Sequence, residues 1–181
     1  GIIGTRNRGL CERRGKRMTN IAVVYCSRYG STKQYAQWLA EDLGADLYDV
    51  RRVYKEKLET YDTIVFGGGL YYGVIKGLSR LKRNYASIRE SNLVVFAVGL
   101  TPPENKKLLD NVAQGNLSPA MRKKAGFFYL VGSTDYDKLG PFHKLFRKKY
   151  RGQEPAPLSR ESLAPIEEYV RSFKQEGQKE A

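Results

Sequence analysis

The sequence predicts an α/β fold, a doubly wound parallel sheet of five strands with helices on both faces. Two observations carry this expectation. Short β-branched or aromatic runs alternate with stretches of helical periodicity, the order that parallel strands joined by crossover helices require. A chain of 181 residues is also the size of one hydrophobic core rather than two.

The candidate strands are Ile21–Cys26, Asp46–Val50, Thr63–Gly67, Leu93–Gly99 and Phe127–Val131. Between the first two, Tyr35, Trp38, Leu39 and Leu43 recur at helical spacing, and Gly44 supplies a stop. Leu78, Leu81, Tyr85 and Ile88 repeat the pattern after the third strand, as do Leu163, Ile166, Val170 and Phe173 near the end of the chain. The domain is therefore expected over residues 18–176, with a basic aromatic insertion at 135–152 and fraying over 177–181.

Composition narrows the class. With 41% hydrophobic and 28% charged residues, and only 18 Gly and 7 Pro, the chain is neither disordered nor collagenous. Its longest nearly unbroken apolar stretch, Leu93 to Leu100, falls far short of the ~20 residues of a membrane-spanning helix. Cys11 and Cys26 are too few for a disulfide framework or a zinc site, which makes a reducing, cytoplasmic setting the default expectation.

The net charge of +13 raises nucleic acid binding, but its placement argues against that function. Residues 1–17 carry +5 (Arg6, Arg8, Arg13, Arg14, Lys16 and Arg17 against Glu12), and residues 138–152 carry +6 with no acid. The rest holds only +2, too little for a nucleic-acid funnel. Residues 1–17 show no apolar run or period and are expected to be a disordered or added extension ahead of a natural start at Met18.

Ligands of open parallel sheets sit beyond the carboxyl ends of the strands, so the loops there are where the chemistry is expected. After the first strand, Ser27-Arg28-Tyr29-Gly30-Ser31-Thr32 brings three hydroxyls, a turn-permitting Gly and a helix N-terminus together, the makings of a phosphate cradle. An ordinary capping turn uses the same residue types. After the third strand, Gly67-Gly68-Gly69-Leu70-Tyr71-Tyr72-Gly73 places two tyrosines between glycines, which suits a flat ring needing a stacking face. A tyrosine covering the core would look the same. After the fourth strand, Gly99-Leu100-Thr101-Pro102-Pro103 is stiff enough to close the other side of such a ring.

Spacing excludes several phosphate chemistries. Thr32 stands where a tyrosine phosphatase loop following Cys26 needs Arg, so Cys26 reads as a small buried strand residue. Val74 stands where a Walker loop beginning at Gly68 needs Lys. Tyr72 replaces the third Gly of a dinucleotide fingerprint beginning at Gly67, and Phe66 and Gly67 replace a receiver domain's phospho-accepting Asp. A cofactor's phosphate remains.

The hydroxyl-rich loop, the aromatic glycine-bounded loop and the stiff loop together resemble the flavodoxin fold, over most of Met18 to Phe173. The resemblance implies strand order 2-1-3-4-5 and FMN at the switch point. Ser27, Arg28, Tyr29, Gly30, Ser31 and Thr32 would hold the phosphate. Gly69, Leu70, Tyr71, Tyr72 and Gly73 would flank one face of the isoalloxazine, and Gly99, Leu100 and Thr101 the other. Ser-Arg-x-Gly-x-Thr with Leu-Tyr-Tyr-Gly looks closer to the quinone-dependent protoporphyrinogen oxidase branch, which carries a basic aromatic insertion where Asp135 to Gly152 stands here. Arg28-Tyr29 before Gly30 departs from the usual loop of the acidic electron carriers.

Within the insertion, Phe142, Leu145 and Phe146 share a helical face surrounded by cations. The aromatics are expected to pack on the sheet. The cations are expected to meet a partner, either an anionic membrane surface, which would put the protein at the inner face of the membrane, or a flat acidic substrate. His143 has no companion carboxylate and reads as an incidental polar residue. The function expected is that of an FMN-binding oxidoreductase or electron-transfer protein acting on a flat anionic substrate or quinone. The alternative is a non-enzymatic FMN shuttle docking on a redox partner protein. The chemistry would belong to the flavin, with no catalytic side chain and no metal.

Overall fold

The computed structural model describes residues 20–28, 30–100, 106–133 and 157–179, the last six of these by backbone alone. The extension 1–17, Met18, Cys11, Tyr29, Thr101 to Pro103, and the insertion 135–152 with His143 lie outside the described residues.

The chain runs β1 (Ile21–Cys26), α1 (Ser31–Leu43), β2 (Asp46–Asp49), α2 (Lys55–Leu58), β3 (Thr63–Tyr71), β4 (Val74–Ile75), α3 (Leu78–Arg83), β5 (Asn92–Gly99), α4 (Lys106–Asn116), α5 (Pro119–Lys124), β6 (Gly126–Val131) and α6 (Ala164–Lys179). Single 3₁₀ turns stand at Tyr85–Ile88 and Arg160–Leu163. The sheet order is β2-β1-β3-β5-β6, with these five strands parallel and β4 paired antiparallel to β3. With the two-residue β4 set aside, this is the expected 2-1-3-4-5 order.

Alternate residues of each strand enter two separate cores. Ala22, Val24, Ile64, Phe66, Val95 and Ala97 pack with Leu58, Leu78, Leu81, Val112 and Met121 of α2 to α5. Val23, Val65, Val94, Phe96 and Val98 face Tyr35 and Leu39 of α1 and Ile166 and Val170 of α6. Burial on both faces is why these strands read as continuous apolar runs. Helix α1 ends as its sequence requires, with Gly44 at φ 62° and the Ala45 N–H reaching back to Ala40 O at 2.8 Å.

Two expectations need correction. The periodic stretch Leu78 to Ile88 is not one helix: α3 ends at Arg83, Asn84 leaves helical geometry, and its side-chain amide donates to the Arg80 carbonyl at 3.4 Å before the 3₁₀ turn begins. The third strand does not stop at Gly67 but continues through Gly68, Gly69 and Leu70 to Tyr71, so these residues are strand rather than loop. The glycines are tolerated because neighbours occupy their faces. An added Cβ on Gly67 would lie 2.0 Å from the Phe96 ring, and one on Gly68 would lie 2.4 Å from the Lys76 carbonyl.

Gly67→Ala is therefore expected to destabilise the fold by about 1–3 kcal/mol through overpacking. Urea unfolding would measure the loss, and Gly67→Ala/Phe96→Leu should recover part of it.

Candidate functional site

The parallel sheet delivers the ends of β1, β3, β5 and β6 to one edge. At β1 the chain leaves the core at Cys26, whose thiol is buried. Burial pushes that thiol above its ordinary pKa, against the opposing pull of Arg51, Lys76 and Arg80. It is a packing residue, as the sequence indicated, set against Gly77 so closely that a Cβ there would lie 2.4 Å from the Cys26 Cβ.

Ser27 Oγ then accepts the Gly30 N–H at 3.0 Å, drawing the loop into a tight turn. Gly30 sits at φ 98°, a conformation that disfavours any side chain, and nothing would stand within 4 Å of a Cβ there. Its carbonyl accepts the Gln34 N–H at 2.9 Å and opens α1, but no side chain caps the helix. The N–H groups of Ser31, Thr32 and Lys33 thus have no intrahelical acceptor.

The predicted hydroxyls divide into different roles. Ser31 Oγ donates to the Ser133 carbonyl and accepts the Ser133 N–H at 3.1 Å, so it ties this loop to the one after β6. Tyr35 reinforces the tie one helical turn on, its hydroxyl donating to the Val131 carbonyl at 2.5 Å. Thr32 is only 4% exposed, and its hydroxyl meets no hydrogen-bonding partner among the described residues. A buried hydroxyl without a partner costs stability unless something else supplies one. Arg28, earlier in the same loop, is exposed.

At β3 the two tyrosines separate. Tyr71 ends the strand half-buried, its ring lying over Gly69 and its face meeting Lys76 Nζ at 5.6 Å. Tyr72 and Gly73 form the two-residue turn between Leu70–Tyr71 and Val74–Ile75, with φ of 49° and 78°. Both positive values belong to the hairpin turn that matches strand twist, but Asn-Gly is its usual sequence, and a bulky residue at positive φ is an outlier. Tyr72 occupies it while 89% exposed. Packing does not place that ring.

A residue absent from the sequence reading holds this turn. Asn116, at the end of α4, is buried and uses its whole amide: Nδ2 donates to the Gly73 and Val112 carbonyls at 2.8 Å each, and Oδ1 accepts the Ile75 N–H at 2.8 Å. Lys82 Nζ donates to the Asn116 carbonyl at 2.8 Å and fixes the same corner. A lone Asn in a helical pattern carries no sequence signal for such a contact.

At β5, Gly99 is a contact point of the sheet. Its carbonyl accepts the Gly132 N–H at 2.7 Å, and a Cβ would lie 1.9 Å from the Tyr129 hydroxyl. Leu100 follows, half-buried. Of the fourteen residues expected at the site, the described ones all reach the same edge. The hydroxyl loop and the tyrosine turn open outward, whereas Gly69, Gly99 and Ser31 hold the frame together.

Residues 22–153 match the family model described as flavodoxin domain. An uncharacterized protein of Methanocaldococcus jannaschii is 26% identical over 132 residues, 72% of this chain, and the chain spans 65% of that relative's length. Among solved structures, a flavodoxin from the domain Archaea is similar at 17% identity over 70% of this chain and 92% of that one, with a TM-score of 0.43. Oxidised flavodoxin 1 from Bacillus cereus is similar at 11% identity over 75% and 99%, with a TM-score of 0.45. The family match is to the flavodoxin domain as a whole and gives no support to the protoporphyrinogen oxidase branch.

Two outcomes are expected here. Asn116→Ala should cost about 2–3 kcal/mol, because it strands buried backbone groups, and should speed hydrogen exchange at the Ile75 amide beyond that global loss. In a Cys11→Ser background, iodoacetamide should modify Cys26 more than roughly tenfold slower in the folded than in the unfolded protein at mildly alkaline pH. The raised pKa keeps the folded thiol protonated, and burial blocks access.

Proposed function

Because the chain belongs to the flavodoxin domain family, we propose that its carboxyl edge binds FMN and that the protein carries electrons between a donor and an acceptor. The observation that most favours this reading is the hydroxyl of buried Thr32, which has no partner among the described residues and is set at an uncapped helix N-terminus behind a glycine that leaves space open. These residues fit a phosphate monoester. Its oxygens would accept from the Ser31, Thr32 and Lys33 N–H groups and from the Thr32 hydroxyl, aided by the dipole of α1. Charge-assisted bonds of this kind are roughly twice as strong as neutral ones.

Ser27 contributes by shaping the turn that aims those groups. Tyr72 offers a flat exposed face for the isoalloxazine, and the Asn116 amide keeps the turn beneath it from collapsing. When bound, FMN would supply the redox chemistry, accepting and releasing electrons at its ring. The chain's own residues would anchor the phosphate, orient the ring and shield one face from water. A quinone, a flat anionic substrate or a redox protein would serve as acceptor.

A titration with FMN and riboflavin separates the contributions. FMN is expected to bind at least roughly a hundredfold tighter than riboflavin, the difference reporting the phosphate contacts. Thr32→Val, which keeps the shape and removes the hydroxyl, should weaken FMN by about tenfold and leave riboflavin unchanged. Tyr72→Ala should weaken both flavins and relieve the quenching of flavin fluorescence. Equal affinity for the two flavins would remove the phosphate assignment, and failure to bind either would remove the proposed function.

A further inference from the structure

Several cations are held in ion pairs: Arg160 with Glu41 and Asp42, Arg171 with Glu167, and Arg89 with Glu90. Cations also gather at the carboxyl edge. The segments after β2 and after the β3–β4 hairpin bring Arg51, Arg52, Lys76 and Arg80, all exposed. The acids nearest them in the chain are Glu56 in the first turn of α2 and Asp49, which is taken by the Arg51 guanidinium at 2.6 Å. That guanidinium keeps the Asp49 carboxyl below its ordinary range, so it stays ionised and stays bound to Arg51.

The chain itself brings these cations together. The Val50 N–H donates to the Tyr25 carbonyl at 2.9 Å, seating Arg51 and Arg52 beside the end of β1. The Lys76 N–H donates to the Gly69 carbonyl at 2.9 Å, and Gly77 lies on Cys26, which sets Lys76 and the first turn of α3, with Arg80, on the other side of that strand end. Three neighbouring strand ends span about 10 Å, wider than a single carboxylate.

A second, independent observation concerns the same edge. Four large hydrophobic side chains are exposed among the described residues: Tyr54, Tyr72, Val74 and Leu108. Tyr54 follows β2, Tyr72 stands on the hairpin turn and Val74 opens β4, so three of the four belong to the same segments as these cations while the fourth lies on α4. Exposed aromatic and aliphatic side chains in segments of mainly positive charge are the composition of a protein docking face, with apolar anchors and a charged rim.

We propose that this edge is a docking surface for an acidic protein partner, with Tyr54, Tyr72 and Val74 as contacts and Arg52, Lys76 and Arg80 as the rim that selects carboxylates. The surface takes the electron-carrying role above as its purpose, and a partner seated there would cover the tyrosine turn. Rim charges of this kind steer encounter and set its salt dependence more than they set the affinity of the final complex.

The test does not need a flavin. A fluorescein-labelled poly-glutamate peptide, and the same peptide with leucines interspersed, would be titrated by anisotropy into the full chain at low and physiological ionic strength. Both are expected to bind, more weakly as salt screens the rim, with the leucine peptide the tighter. Arg52→Gln/Lys76→Gln/Arg80→Gln should weaken both by roughly fivefold or more. Tyr72→Ser/Val74→Ser should erase the advantage of the leucine peptide alone. Arg83→Gln/Arg122→Gln/Lys123→Gln, equal in charge removed but elsewhere on the surface, should change neither.

An equal loss in the two triple variants would overturn the proposal, since net charge rather than this edge would then govern binding. Sedimentation with phosphatidylcholine vesicles doped with phosphatidylserine, if it depended on the Arg52, Lys76 and Arg80 set, would overturn it in favour of a lipid surface. FMN titration of the parent protein reports separately on the flavin: FMN binding with no peptide binding by the parent would sink the docking surface alone, and peptide binding with no FMN binding would sink the flavin reading alone.

Discussion

A buried parallel strand normally fills the space above and below itself with side chains, and β3 leaves that space empty at three consecutive positions. Gly67 gives its face to the Phe96 ring, Gly68 gives its face to Ile75 and the Lys76 carbonyl, and Gly69 takes the ring of Tyr71. The close approach at Gly68 is what allows the chain to fold back as a hairpin instead of passing directly into a helix. The tyrosine turn, the cations that follow it and the packing of Gly77 on Cys26 all depend on that return. Any Cβ at Gly68 would collide with backbone, which cannot swing aside as a side-chain tip can.

The hairpin alone would be a weak element, since its ladder holds two residue pairs and short isolated hairpins are marginal in water. Its turn also carries a tyrosine in a conformation suited to glycine or asparagine. The Asn116 amide offsets both weaknesses by binding the Gly73 carbonyl within the turn and the Ile75 N–H of β4. Local strain with an external clamp recurs where a structure must hold a side chain outward that would otherwise bury itself. Thr32 shows the same logic in polar form, a buried residue kept in place by the helix although its hydroxyl finds no partner among the described residues. Both features stand at one edge of one sheet, and each makes sense as half of a contact whose other half is a ligand or partner.

Charge does different things at different places on the sheet. At the amino ends, ion pairs link α1 to the 3₁₀ turn ahead of α6, so charge there joins elements of the fold. At the carboxyl edge, Arg51, Arg52, Lys76 and Arg80 stand in neighbouring segments whose acids are Asp49 and Glu56. Like charges gathered at one edge repel one another, and an anion outside the fold offsets that repulsion.

Much of this was legible in the residues alone. The alternation of apolar runs with helical periods determined the five parallel strands, though not the two-residue β4, because burial on both faces leaves a pattern that few other folds produce. The hydroxyl loop after β1 was legible because its chemistry is contiguous in the chain, from Ser27 to Thr32. Tertiary structure decided what depends on distant neighbours. Three glycines read as a loop until Phe96 and Ile75 are seen to fill their faces. Ser31 and Thr32 read alike until Ser133, 102 residues away, engages one and leaves the other alone. Asn116 gave no sign of its role, since a side-chain amide bonding a turn some forty residues earlier leaves no periodicity and no local motif. Local chemistry is written in order along the chain, but a contact between remote positions exists only once the sheet has brought them together.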